Sequence, residues 1–133
     1  MLRRSALAML AVAAAGPAFG QAYPNKPINL IVPFAAGGPT DLMARIVGER
    51  MSKELGQQLI IDNVTGAAGS IAMGKLARSA PDGYTIGIGH LGTNVVNGAI
   101  YKNLNYDLQN DLAPIALLPS NPLLVVTSNQ VPA

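Results

Sequence analysis

Apolar and polar positions alternate between two periods along this chain. Residues 28–32 read I-N-L-I-V, a nearly continuous β-rich run of the kind that fills a strand buried on both faces. From Pro39 to Leu55 the apolar residues Leu42, Met43, Ile46, Val47, Met51 and Leu55 recur every three or four positions, which draws one stripe on a helix. Pro39 suits the first helical position and Gly56 the residue just past the end. Residues 58–62 (Q-L-I-I-D) read as a second strand. Residues 70–80 read as a second helix, with Ile71, Met73, Leu76 and Ala77 largely on one side and Ser70 as candidate N-cap. Pro81-Asp82-Gly83 has turn chemistry, and residues 84–89 (Y-T-I-G-I-G) form the third expected strand, its glycines implying close approach by another backbone or a ligand. Beyond them a short helix is expected over 94–101, irregular chain over 103–111, and short strands at 115–118 and 123–126. Strand, helix, strand, helix, strand is the pattern of βαβ units, so the fold class is α/β with a parallel sheet.

The first twenty residues do not belong to this pattern. Arg3 and Arg4 precede a short apolar run over 7–15, and Gly16-Pro17 breaks it before small residues. This is the layout of a cleavable signal peptide, with cleavage after Gly20 favoured over cleavage after Ala22. The run is too short to cross a hydrocarbon core, which needs about 20 apolar residues, so no stable membrane anchor is expected in the mature chain. General secretion fits better than twin-arginine export, since no Ser or Thr precedes the arginine pair. The expected division is residues 1–20 as signal and 21–133 as the folded part, exported from the cytoplasm.

Removing the signal changes the charge. The whole chain has nine Lys and Arg against seven Asp and Glu; without Arg3 and Arg4 the balance is seven against seven. A neutral chain lacking Trp offers neither the positive footprint nor the stacking rings that nucleic acid requires. The absence of Cys removes disulfides and a lipoprotein anchor, and a single His makes a structural zinc site implausible. No metal and no cofactor are called for.

Three segments could carry chemistry. The first is Phe34-Ala35-Ala36-Gly37-Gly38-Pro39-Thr40-Asp41, a glycine loop between a strand and a helix. Free N–H groups and about half a positive charge at a helix N-terminus attract an anion, and in a parallel sheet such loops lie at the carboxyl ends of the strands. A plain turn in which Asp41 complements the helix dipole is an equally open alternative. The second, Gly69-Ser70-Ile71-Ala72-Met73-Gly74-Lys75, approaches the G-x-x-x-x-G-K phosphate loop, but Leu76 replaces the Ser or Thr that would hold Mg²⁺, and the segment reads as helix. The third is Gly89-His90-Leu91-Gly92-Thr93-Asn94, again following a strand. Its hydroxyl, amides and backbone N–H groups suit a carboxylate, with Asn97 one turn on.

Several ordered motifs resemble one family, the Bug-type periplasmic solute receptors associated with tripartite tricarboxylate transporters. They are Tyr23-Pro24-Asn25-Lys26-Pro27-Ile28, then residues 32–41 with Ala44-Arg45, then Ala80-Pro81-Asp82-Gly83-Tyr84-Thr85, and finally Tyr106-Asp107 through Asp111-Leu112-Ala113-Pro114. The resemblance implies a two-lobed type II periplasmic-binding-protein fold closing on a small organic acid. It also implies that 21–133 is the first part of the N-terminal lobe, an N-terminal fragment without the second lobe. By position it carries the ligand-binding role to Phe34, Ala35, Ala36, Gly37, Gly38, Thr40 and Asp41, and to His90, Gly92, Thr93 and Asn94. The expected partners are a small carboxylate and the membrane components of the transporter. Where the family shows N-R-P-G-A-G-G, this chain has Asn63-Val64-Thr65-Gly66-Ala67-Ala68-Gly69, without the Arg-Pro pair and with one glycine fewer.

Two classes of function compete on these residues. A non-enzymatic receptor needs only donors facing an anion. An exported α/β enzyme acting on a carboxylate or ester needs a nucleophile and base, for which the sequence supplies only Ser70 and His90. A fragment inactive by itself is the third expectation.

Overall fold

The structure is a computed structural model and describes residues 22–119. The expected signal segment and the expected strand at 123–126 lie outside the described residues.

Strand β1 (Ile28–Val32) is the centre of a three-stranded parallel sheet of order β2-β1-β3, where β2 is Leu59–Asn63 and β3 is Thr85–Gly87. Its ladder pairs Ile28 with Leu59 and Val32 with Asn63 on one side, and Asn29 with Thr85 and Ile31 with Gly87 on the other. Alternation along β1 sorts its side chains to two faces. Ile28, Leu30 and Val32 pack with Leu59 and Ala44 under helix α1 (Pro39–Leu55). Ile31 packs with Ala72, Met73 and Tyr106 on the opposite face, under helix α2 (Ser70–Ala77). A central strand covered on both faces, with Asn29 exposed, is what the nearly continuous I-N-L-I-V run implied.

Helix α1 has the expected bounds, opening on Pro39 and closed by Gly56 in the left-handed region at φ 66°. Its apolar stripe, however, coincides with its buried face only at the far end. The residues sealed against the sheet are Asp41, Ala44 and Gly48, while Leu42 and Ile46 stand 59% and 63% exposed. The reason is close approach: a Cβ on Gly48 would lie 3.5 Å from Ile61 Cδ1 and 3.7 Å from Leu59 Cβ, so small residues let the helix ride directly on β2. Met51 and Leu55 complete the packing at the far end.

Other bounds differ from the expected ones. Helix α2 ends at Ala77 rather than 80, because Arg78 N–H and Ser79 N–H bond back to Gly74 and Leu76 and close the last turn. Ser70 is its first residue and Gly69 its N-cap; Ser70 Oγ donates to Ala67 O at 2.8 Å instead of capping. β2 runs to Asn63, one residue further than expected, since Asn63 still pairs with Val32. β3 shrinks to three residues. The segment expected as a helix over 94–101 is a π-type turn, Gly92–Val96, running into the short helix α3, Asn97–Ile100. Residues 115–118 have no regular structure, and Leu117 is fully exposed. No helix among the described residues is long and apolar enough to cross a membrane.

Candidate functional site

Because all three strands run in parallel, the loops that follow them gather at one edge of the sheet. The loop after β1 comprises residues 33–38. Gly37 sits at φ 84°, a left-handed conformation that other side chains resist, and Gly38 N–H reaches back to Ala35 O at 3.4 Å. Ala35, Ala36 and Gly37 are exposed; Phe34, Gly38 and Thr40 are half-buried. No side chain caps α1, so its first amides keep the donor character of a free helix N-terminus.

Asp41 lies at the start of α1, 2% exposed, and its carboxylate is fully committed. Oδ2 accepts the Gly37 amide at 2.8 Å and Arg45 Nε at 2.9 Å, while Oδ1 accepts Asn63 Nδ2 at 3.1 Å. The same Asn63 amide donates to Phe34 O at 3.0 Å. The Arg45 hydrogen bond, then the Gly37 N–H, hold the Asp41 carboxyl down to about 2 against the opposing effect of burial, with Asn63 adding to the lowering. Asp41 is thus an ionised internal anchor, neutralised by Arg45, whose acceptor capacity ties the loop to α1 and to the end of β2.

The loop after β3 closes on itself. His90 Nδ1 accepts the Gly92 amide at 2.8 Å and faces the Thr93 amide at 3.4 Å. Thr93 Oγ1 accepts the His90 amide at 3.0 Å, and the Thr93 carbonyl accepts the Tyr106 hydroxyl at 2.9 Å. Thr93 is fully buried, which makes it a structural member of the loop. Asn94 is exposed, with its Oδ1 2.9 Å from Thr93 Oγ1.

Side chains bind the loops to one another. Phe34 and His90 stack with centroids 4.7 Å apart and planes at 13°. Asn63 joins the loops after β1 and β2. Asn97 joins those after β2 and β3, donating to Ala68 O at 3.1 Å and Ser70 Oγ at 3.0 Å. Gly69, at φ 85°, makes the contact possible: a Cβ there would fall 2.5 Å from Thr93 Cγ2 and 3.0 Å from Pro33 Cβ. The structure therefore brings the two predicted clusters together through Phe34 and His90. Sequence reasoning missed Asn63 and Tyr106; a polar amide closing β2 opposite Val32 was the one available signal for the former.

The other candidate chemistry resolves differently. The near phosphate loop is helical from Ser70, and Lys75 pairs with Asp62 at 2.6 Å. Ser70 and His90 each spend their bonds elsewhere, Ser70 on Ala67 and Asn97, His90 on its own loop. Beside the loop after β1, the exposed apolar side of α1 opens a groove lined by Leu42, Met43, Ile46 and Val47, with Pro119 across it.

Known proteins resemble this chain in sequence and fold. Residues 43–133 match the family model described as tripartite tricarboxylate transporter family receptor. The chain is 35% identical over 132 residues to protein BugT of Bordetella pertussis, covering 96% of this chain and 40% of that one. Among solved structures it resembles MatC from Rhodopseudomonas palustris with bound malate, at 44% identity and a TM-score of 0.69, covering 72% of this chain and 33% of that one. It also resembles the periplasmic binding protein BugD, at 43% identity and a TM-score of 0.64, covering 67% and 29%. The chain spans no more than about two fifths of the length of the curated relatives it matches. With more than half of its residues inside the family match, on a parallel α/β sheet shared with these binding proteins, the chain belongs to the tripartite tricarboxylate transporter receptor family.

Proposed function

We propose that this chain supplies ligand-capturing loops of an extracytoplasmic solute receptor that binds a small organic acid and delivers it to the membrane components of a tripartite tricarboxylate-type transport system. The observation that carries the reading is the pairing of a charge-neutral anchor with open donors. Asp41 and Arg45 cancel within the first turns of α1, so an incoming carboxylate meets backbone N–H groups and the positive end of α1 without a dedicated cation. The bound malate of MatC, which this chain resembles at 44% identity, supports the ligand class.

In this reading residues 1–20 are the export signal and residues 21–133 the first part of the N-terminal lobe of a two-lobed receptor acting in the periplasm. Phe34 to Gly38, Thr40, His90, Gly92 and Asn94 face the ligand, whereas Asp41 and Thr93 hold the loops. Binding without chemistry is favoured over hydrolysis because Ser70 and His90 make no bond to each other and the Ser70 hydroxyl is spent on Ala67 and Asn97.

Calorimetric titration of the protein expressed from its full coding sequence, against malate and a panel of mono- and dicarboxylates, tests the reading. Saturable binding of a carboxylate is expected, and Gly37→Val should abolish it, because a β-branched residue resists φ 84°. Failure of every carboxylate to bind would overturn the proposal.

A further inference from the structure

The two loops of the candidate site touch through one ring pair, and the chemistry of that pair fixes more than their spacing. Nδ1 of His90 is turned inward to two backbone amides, Gly92 N–H at 2.8 Å and Thr93 N–H at 3.4 Å. Both are donors, so Nδ1 acts as an acceptor and carries no hydrogen in this arrangement. A neutral imidazole has one N–H, which must then sit on Nε2. The ring also has little room to turn over. One face lies on Phe34, and Gly92 packs so closely that a Cβ would come within 2.5 Å of His90 Cε1. The His90 side chain is nevertheless exposed at the loop edge, and Nε2 has no partner among the described residues.

We propose that His90 is a specificity-determining residue: a neutral imidazole, oriented by its own loop through Nδ1 and by Phe34 through its face, that gives its Nε2–H to a carboxylate oxygen of the ligand. The proposal rests on the carboxylate-receptor reading above and names the side-chain donor of that site. A donor at this point selects against ligands that present an ammonium or amide N–H there, and accepts a carboxylate without adding charge to a neutral site. It also gives Phe34 a role that its sequence position does not reveal, as the plate that sets the ring plane.

Two substitutions separate the two nitrogens. In His90→Asn the amide oxygen stands where Nδ1 stood, so the Gly92 bond survives while the outward donor is lost. In His90→Gln the amide nitrogen reaches the place of Nε2, so the donor survives while the inward acceptor is lost. With malate as probe in calorimetry, His90→Asn is expected to melt close to His90→Gln, since both lose the ring stacked on Phe34, and to lose roughly tenfold or more in affinity, the worth of a hydrogen bond to a charged group. His90→Gln is expected to retain affinity within a few-fold. Nitrogen-15 spectra of the parent at alkaline pH, where imidazole is neutral, should show the Nε2–H tautomer. Unchanged malate affinity in His90→Asn, or the opposite tautomer in the parent, would overturn the role of His90 and leave the receptor reading standing. A parent that binds no carboxylate at all would overturn both.

Discussion

The loops after β1 and β3 meet in one place but are held by unlike means. The first is tied to the body of the fold: Asp41 gathers Gly37 from the loop, Arg45 from one turn further along α1, and Asn63 from the end of β2. The second is a local knot, in which His90 and Thr93 exchange bonds within three residues, while the Tyr106 hydroxyl and the Phe34 ring reach in from outside. One anchor is a buried carboxylate with an arginine beside it; the other is an exposed ring and a buried hydroxyl. The difference implies a division of labour, in which the first loop is fixed together with the sheet and the second can be altered without disturbing it.

The strongest test of that division is Asp41→Ala. The change strips the Gly37 amide and Arg45 of their acceptor, and Asn63 of one of its two, in a single step. It should lower the melting temperature more than any single substitution in the other loop and abolish the carboxylate binding proposed above. If His90→Ala destabilises the fold as much, the contrast is wrong. The charge on Asp41 adds a pH signature. Its carboxyl is held at about 2 in the folded chain against an ordinary 3.8, so the stabilisation is fully present above pH 3.8 and is lost as pH falls toward 2. Urea midpoints measured down that range should fall for the parent and fall less for Asp41→Asn.

Asn63→Ala comes next in size. It removes one bond to a carboxylate and one to a carbonyl, a loss of about 2 kcal/mol by the usual worth of such bonds. The cost should be smaller than that of Asp41→Ala, because Gly37 and Arg45 keep their acceptor. Equal costs would mean that Asn63, rather than the carboxylate, organises the loop. Urea unfolding of the two variants side by side decides between these.

How far this arrangement could be seen in advance depends on the distance over which each part is determined. Strand β1 and the bounds of α1 were legible because local chemistry sets them: a continuous apolar run, a proline at the start and a glycine at the end. The buried face of α1 was not, since periodicity marks Leu42 and Ile46, and only the contact with β2 reveals that Ala44 and Gly48 are the residues small enough to lie against it. Residues 115–118 are apolar like a strand, yet a strand exists only where a neighbour pairs with it. Within the site, the glycine loop and the cluster around His90 were readable as residue types. Their anchors were not, because Asn63 meets Asp41 across 22 residues and Tyr106 meets Thr93 across 13, separations that no spacing rule predicts. Asp41 itself was visible as a site residue, but the inward turn of its carboxylate follows from Arg45 and Asn63 together.

The smallest expected effect lies in the loop between the other two, and its sign is opposite. After β2 the chain passes Gly66 at φ 117°, Ala67 at 46°, Ala68 at 50° and Gly69 at 85°, four consecutive residues on the positive side. Glycine enters this region freely, but an alanine there costs about 1 kcal/mol. Position 68 is where the family pattern that this chain resembles carries a glycine, so the missing glycine falls on a residue whose backbone calls for one. Ala68→Gly should relieve that cost and give back part of it through the greater freedom of the unfolded chain, for a net gain of about 0.5 kcal/mol. The Asn97 bond to the carbonyl of residue 68 is unaffected by the loss of a methyl group, so the tie between the loops after β2 and β3 should persist and the proposed carboxylate affinity should not change. A raised urea midpoint with unaltered affinity would place the strain in the connection between the two anchored loops, outside both anchors. A lowered midpoint would show that the alanine methyl is well accommodated and that this turn, unlike the one at Gly37, makes no demand for glycine.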